Sequence, residues 1–292
     1  MTEGWRTIIV ESAEALHLQN NDLVIAGGDD FVLPLSQIQR ILIASPKGTI
    51  SVPLLQRLCS SNVELVICDE KYNPSGELIP FGSHSRTAGC MQIQSAWTEQ
   101  EKNEMWREIV VAKIQNQIET LRECHIEIPE ELAACVSAVL PGDETNREGV
   151  AARLYFNALF GMDFIRHTEN ELNAALNYGY TILLSAMTRV IASYGYHTAL
   201  GIHHHSRYNR FNLASDLMEP FRPAIDKMVY RNKNRPLSWD YKKELISLLV
   251  ADCYYANRRM SVQTAMELYA LDVFGAMTDP KRQIYRLTFV EK

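Results

Sequence analysis

YNPSGELIPFGSHSRTAG, residues 72–89, is where this 292-residue chain changes character. Gly, Pro and Ser crowd it, as they do in connections between domains. It reads as the core of an interdomain linker over 73–96, with room for a small hairpin. Upstream, short β-branched segments alternate with turns. Residues 6–10, 23–26, 31–35, 38–44 and 63–68 read as strands, and Asn20-Asn21-Asp22 and Gly27-Gly28-Asp29-Asp30 read as turns. One short helix is expected at 51–59, where Pro53 fits the first turn. Downstream the period becomes helical. Thr98 with Glu101 has capping-box spacing ahead of Met105, Ile109, Ala112 and Ile118. Further helices are expected at 129–139, 144–160 and 223–229. A very apolar helix is expected from a Thr168/Glu171 box to Gly195, and two more at 237–257 and 261–277. Residues 283–290 read as a last strand or an arm. The expected fold is therefore α+β with two domains: a small β-sandwich-like domain at 1–72 and a larger all-α domain at 97–292.

Composition narrows the function. Hydrophobic residues make up 47% and charged residues 22%, the balance of an ordinary globular protein. A net charge of −6 excludes a protein that coats nucleic acid over its whole surface, so any DNA contact needs a local basic face. Six cysteines lack CxxC spacing, which removes zinc-ribbon and thioredoxin readings and points to a reducing cytoplasm. No signal segment opens the sequence, and the most apolar run, 181–192, is too short to span a bilayer.

The chemistry gathers in residues 200–223, LGIHHHSRYNRFNLASDLMEPFRP. Imidazole and carboxylate are metal ligands, and guanidinium is a phosphate ligand. Asp216 and Glu219 are spaced i, i+3, which on a helix turns both to one face, able to share an ion. The same pair would also serve as an acidic first turn capped by Ser215. Adjacent histidines cannot all face one point, so spacing leaves open which of His203, His204 and His205 is a ligand. Mixed imidazole and carboxylate donors suit Mg²⁺ or Mn²⁺. Glu148 is the third candidate, although Thr145-x-x-Glu148 also has capping-box spacing. Between Arg207 and Arg235 the chain is locally basic, either a phosphate-binding patch or a solvated loop.

Three segments resemble the CRISPR-associated integrase family, the first of the Cas proteins, which acquires new spacers. They are N-x-E-G-x-A-A-R-x-Y-F at 146–156, G-I-H-H at 201–204 and S-D-L-M-E-P-F-R-P at 215–223. The likeness covers essentially the whole chain and is greatest to members from type II systems. By position the resemblance implies that Glu148, His204 and Glu219 hold a catalytic Mg²⁺ or Mn²⁺, with Asp216 as a helper. It implies metal-dependent transesterification that joins the 3′-hydroxyl of short DNA fragments to CRISPR repeat ends, with an associated endonuclease activity. Arg153, Arg207, Arg210 and Arg222 become candidate DNA phosphate contacts. The implied partners are DNA, a second copy through the β-rich domain, the small second CRISPR-associated protein and other type II CRISPR proteins. A stand-alone structure-specific nuclease and a non-catalytic DNA-binding scaffold are the alternative functions. If the metal reading holds, the two glutamates and a His204 ring nitrogen should converge on one point.

Overall fold

The computed structural model describes residues 6–45, 47–61, 63–70, 74–78, 87–279, 282, 284–285 and 287–289. Contacts divide the chain into two compact units, Met1–Ser85 and Arg86–Lys292.

The first unit contains β1 (Arg6–Val10), β2 (Ala15–Gln19), β3 (Asp22–Ala26), β4 (Phe31–Pro34), β5 (Ile38–Ile43), β6 (Thr49–Ile50), α1 (Val52–Ser60), β7 (Glu64–Cys68) and β8 (Pro74–Leu78). Asn20 and Asn21 both have positive φ, the two-residue turn that suits a tight hairpin between β2 and β3. One sheet runs β4-β3-β2-β6 and the other β1-β5-β7-β8. The second sheet is mostly parallel, because the chain leaves β5 through α1 and re-enters at β7 in the same direction. Leu16, Leu23 and Leu33 of one sheet, Ile38, Ile41 and Leu65 of the other, and Leu54 and Leu58 of α1 form one apolar core. Ser51 caps α1 through the Leu54 amide, with proline in the first turn as the sequence suggests.

β8 falls inside the span read as a linker. Proline stands at its first position, where no ladder donor is needed, and β7 supplies its antiparallel partner. Residues 73 and 79–86 of that span lie outside the described residues, and Thr87–Ser95 within it is helical.

The second unit contains α2 (Thr87–Ser95), α3 (Glu99–Glu123), α4 (Glu130–Ala138), α5 (Arg147–Phe160), α6 (Glu171–Ser193), α7 (Asn212–Leu217), α8 (Arg222–Arg231), α9 (Trp239–Ile246), β9 (Asp252–Tyr255), β10 (Arg258–Ser261), α10 (Val262–Ala276) and β11 (Leu287–Phe289). α3 opens with the Thr98/Glu101 capping box. It packs against α4, α5 and α8, while α6 packs against α7, α8, α9 and α10. α6 is buried on most of its circumference, as its apolar sequence demands. Its cap differs from expectation. Asn170 accepts the Asn173 amide, Thr168 bonds back to the Ile165 carbonyl, and Glu171 receives the Leu237 amide instead of closing a box. Gly195, with φ +82°, ends the helix in the left-handed region.

This unit is not all-helical, which corrects the sequence reading. The helix expected over 237–257 stops at Ile246, and β9, β10 and β11 form an antiparallel sheet in the order β10-β9-β11. Ala256 and Asn257 both have positive φ and turn β9 back into β10. An Ala-Asn pair carries a weaker turn signal than Asn-Gly. Tyr-rich residues 253–255 fit either period over so short a run. Among the described residues no helix is long and apolar enough to cross a membrane.

Candidate active site

The two prolines of the S-D-L-M-E-P-F-R-P run decide its path. Pro220 and Pro223 cannot donate to a helical ladder, so α7 ends at Leu217 and a 3₁₀ turn, Glu219–Phe221, leads into α8. α3 receives the carbonyls exposed by this break. Asn116 Nδ2 donates to Pro220 O at 2.8 Å and Thr120 Oγ1 to Pro223 O at 3.3 Å, both buried. The turn carrying Glu219 is thereby held against the long helix. Ser215 does not cap an acidic first turn; it lies within α7 and its hydroxyl donates to Phe211 O.

Glu148 arrives from the first turn of α5. Asp143 accepts the Arg147 and Glu148 amides at 2.7 and 2.9 Å, and Asn146 accepts the Gly149 amide at 3.2 Å. These two residues satisfy the helix start, so the alternative Thr145 box does not form and the Glu148 carboxylate is free to turn inward. It meets Lys113 of α3, with Nζ 2.6 Å from Glu148 Oε1 and 2.5 Å from Glu219 Oε2. Arg222 Nη2 lies 2.8 Å from the other oxygen of Glu219. Burial opposes the charge on Lys113, but Glu219 and Glu148 outweigh it and hold the ammonium protonated above the ordinary lysine range. Burial likewise favours neutral Glu219, yet Arg222 and Lys113 prevail and keep it below the usual carboxylate range.

Asp216 and Glu219 keep their helical spacing but serve different partners. Asp216, fully buried, accepts the amides of Ile202, His203 and His204 at 2.6, 3.1 and 3.1 Å. It also lies 2.6 Å from His204 Nδ1. Gly201 permits this loop: a Cβ there would lie 2.1 Å from the His204 carbonyl oxygen and 2.9 Å from Asp216 Oδ2. The hydrogen bond that His204 donates to Asp216 raises the His204 pKa above that of a free histidine, against the opposing effect of burial. With Nδ1–H donating to Asp216, the lone pair of neutral His204 sits on Nε2, the arrangement carboxylates impose on metal-ligating histidines.

The other two histidines have different surroundings. The His203 ring stacks on Trp106 of α3, with centroids 4.2 Å apart and planes 3° from parallel. Its pKa is lowered, chiefly by burial. His205 Nδ1 donates to His203 O at 2.8 Å. His204 stands nearly perpendicular to both the Trp106 and His203 rings.

Of the arginines, Arg222 is turned inward to Glu219 and lies 4.5 Å over the Tyr180 ring. Arg153, Arg207 and Arg210 are exposed. Arg207 and Arg210 line a surface cavity of about 530 Å³ with Lys102, His205 and the fully exposed Tyr208. Among the described residues no three His, Cys, Asp or Glu side chains stand close enough to hold one metal ion. The two glutamates converge on Lys113 instead.

Lys113 is the site residue that sequence reasoning missed. A signal for it exists. Trp106, Ile109, Val110, Asn116, Gln117 and Thr120 are buried on α3, and a lysine at that same helical period is out of place in a core.

Two glutamates from separate elements thus meet on the Lys113 ammonium, beside a carboxylate-oriented histidine, in an acidic cluster within an α+β protein. The family model described as CRISPR associated protein Cas1 matches residues 7–244, and the chain belongs to that family. It is 38% identical to the CRISPR-associated endonuclease Cas1 of Neisseria meningitidis serogroup C (strain 8013), over 97% of this chain and 95% of that one. A casposase bound to integration product shares the fold, with a TM-score of 0.79 at 18% identity over 96% of this chain and 92% of that one. So does a chain of a Cas6-RT-Cas1–Cas2 complex, with a TM-score of 0.74 at 21% identity over 98% of this chain and 36% of that one.

Proposed function

We propose that the protein is a CRISPR adaptation integrase with associated DNA endonuclease activity. It joins the 3′-hydroxyl of a short DNA fragment to the end of a CRISPR repeat by transesterification. The observation that carries this reading is the convergence of Glu148 and Glu219 on one cation position in a Cas1-family chain.

The donor chemistry fits Mg²⁺ or Mn²⁺. Glu219 Oε2 and Glu148 Oε1 already share one cation position, occupied by the Lys113 ammonium at 2.5 and 2.6 Å. Glu148, Glu219 and Nε2 of His204 would hold the ion, two hard oxygens and one imidazole. When bound, the ion would lower the pKa of the attacking hydroxyl and polarise the scissile phosphate. The chain's own groups do the positioning. Asp216 sets the His204 tautomer, Asp143 fixes the turn that aims Glu148, and Arg222 balances the charge of Glu219. Arg153, Arg207 and Arg210 are exposed and would meet DNA phosphates.

The partners follow the family. The named relative is an endonuclease, one structural neighbour holds an integration product, and another contains Cas2. DNA, a Cas2-type small protein and a second copy of this chain through the β-rich unit are the proposed partners, with further type II CRISPR proteins beyond them. The proposed setting is the cytoplasm, where six free thiols stay reduced.

The test is strand joining of a short duplex into repeat-bearing plasmid with the Cas2-type partner and Mn²⁺ or Mg²⁺. Glu219→Ala should abolish the joined product, and EDTA should do the same to the wild type. Full joining by the variant would remove Glu219 from the site. Hydrolysis without joining by the wild type would favour the nuclease reading.

A further inference from the structure

We infer that Lys113 is a built-in counter-ion of the acidic site, holding Glu148 and Glu219 together without metal and competing with the divalent ion for the same carboxylate oxygens. The inference rests on the metal-binding reading above.

Residues 113, 116 and 120 of α3 all grip the segment 219–223, but in different ways. Asn116 and Thr120 do so through hydrogen bonds to carbonyls. Lys113 does so through charge, reaching two carboxylates from different elements with its side chain only 12% exposed. A neutral donor at 113 would suffice to brace the turn. It would not offset two carboxylates at close range, whose mutual repulsion is strong where water is scarce.

The geometry also leaves Glu219 with a partner when the ammonium gives way. Nζ lies 2.6 Å from Glu148 Oε1 and 2.5 Å from Glu219 Oε2, so it contacts one oxygen of each carboxylate. Glu219 keeps Arg222 on its other oxygen, so its charge stays balanced when Lys113 moves. A flexible four-carbon stem can withdraw its head without moving α3. A divalent ion carries twice the charge and can take both oxygens, which an ammonium can only share.

Mn²⁺ affinity, read by calorimetry on the full chain, separates this from a merely structural role. Lys113→Met should bind Mn²⁺ at least about tenfold more tightly, because an adjacent like charge and a competitor are both gone. The metal-free variant should melt at a lower temperature than the wild type, and saturating Mn²⁺ should close that gap. Equal or weaker Mn²⁺ binding by the variant, with normal binding by the wild type, overturns the inference and leaves the metal reading standing. No Mn²⁺ binding by the wild type defeats both. A measurement on the unaltered protein guards against a variant that does not fold. Acylation of Lys113 by an amine-selective reagent, followed by mass spectrometry, should be slow without metal and faster with Mn²⁺. Equal rates in the two states overturn the inference.

Discussion

Asp216 is the residue on which the histidine loop depends, and its removal can be worked through. Its carboxylate accepts three backbone amides, those of Ile202, His203 and His204, and faces His204 Nδ1. Asp216→Ala strands these donors. A buried donor left unpaired costs about 1–3 kcal/mol. Ile202 is buried and pays nearly the full cost, while His203 and His204 border the surface and recover part of theirs from water. The loss should be about 4 kcal/mol, a large part of the roughly 5–15 kcal/mol that holds a domain folded. Asp216→Asn keeps one acceptor oxygen and should lose about 2 kcal/mol. Urea unfolding measures the loss, and amide hydrogen exchange at 202–204 shows where it falls. Nitrogen NMR of His204 should show the Nδ1–H tautomer in the wild type and a mixture in Asp216→Ala. A loss below about 1 kcal/mol with unchanged exchange would refute the view that Asp216 builds the loop.

Two further outcomes follow from the same geometry. Asp226 is buried with the Tyr180 hydroxyl donating to it at 2.5 Å, and burial pushes its pKa up from 3.8 to about 6. The folded pKa lies above the unfolded one, so its contribution is full below about pH 4 and is lost as pH rises through about 6, some 3 kcal/mol in all. Asp226→Asn should remove that slope when denaturation midpoints at pH 4.5 and 7.5 are compared, and an unchanged slope would count against it. Replacing both Arg207 and Arg210 with alanine should lower the salt dependence of duplex DNA binding by about two phosphate contacts' worth, roughly 1.8 in the log–log slope. An identical slope would place the DNA elsewhere.

Local signals were legible wherever the chain satisfies itself locally. Thr98/Glu101 forms the expected box because both partners lie within one turn. Asn20-Asn21 turns β2 into β3 for the same reason. The misreadings fall where the local signal is weak or a distant contact prevails. The strand at 252–255 was read as helix because the turn to its hairpin partner β10 is an Ala-Asn pair and its own run is too short for a period to decide. Thr168 lost the cap of α6 because Glu171 is drawn to the Leu237 amide.

The candidate site divides along the same line. Sequence alone, through three motif segments and their likeness to a family, singled out Glu148, His204, Asp216 and Glu219 and the reaction they would serve. It left open which neighbour each side chain would choose, since helical spacing allows Asp216 and Glu219 to share a partner. Tertiary structure separated them, giving Asp216 to the histidine loop and Glu219 to Lys113 and Arg222. It also brought in Lys113, thirty-five residues from Glu148 and over a hundred from Glu219. Motifs record which groups are present, because residue type sets the chemistry. Which charges meet depends on how α3, α5 and the 219–221 turn pack. That packing is decided by the burial of whole helices, which no short stretch of sequence encodes.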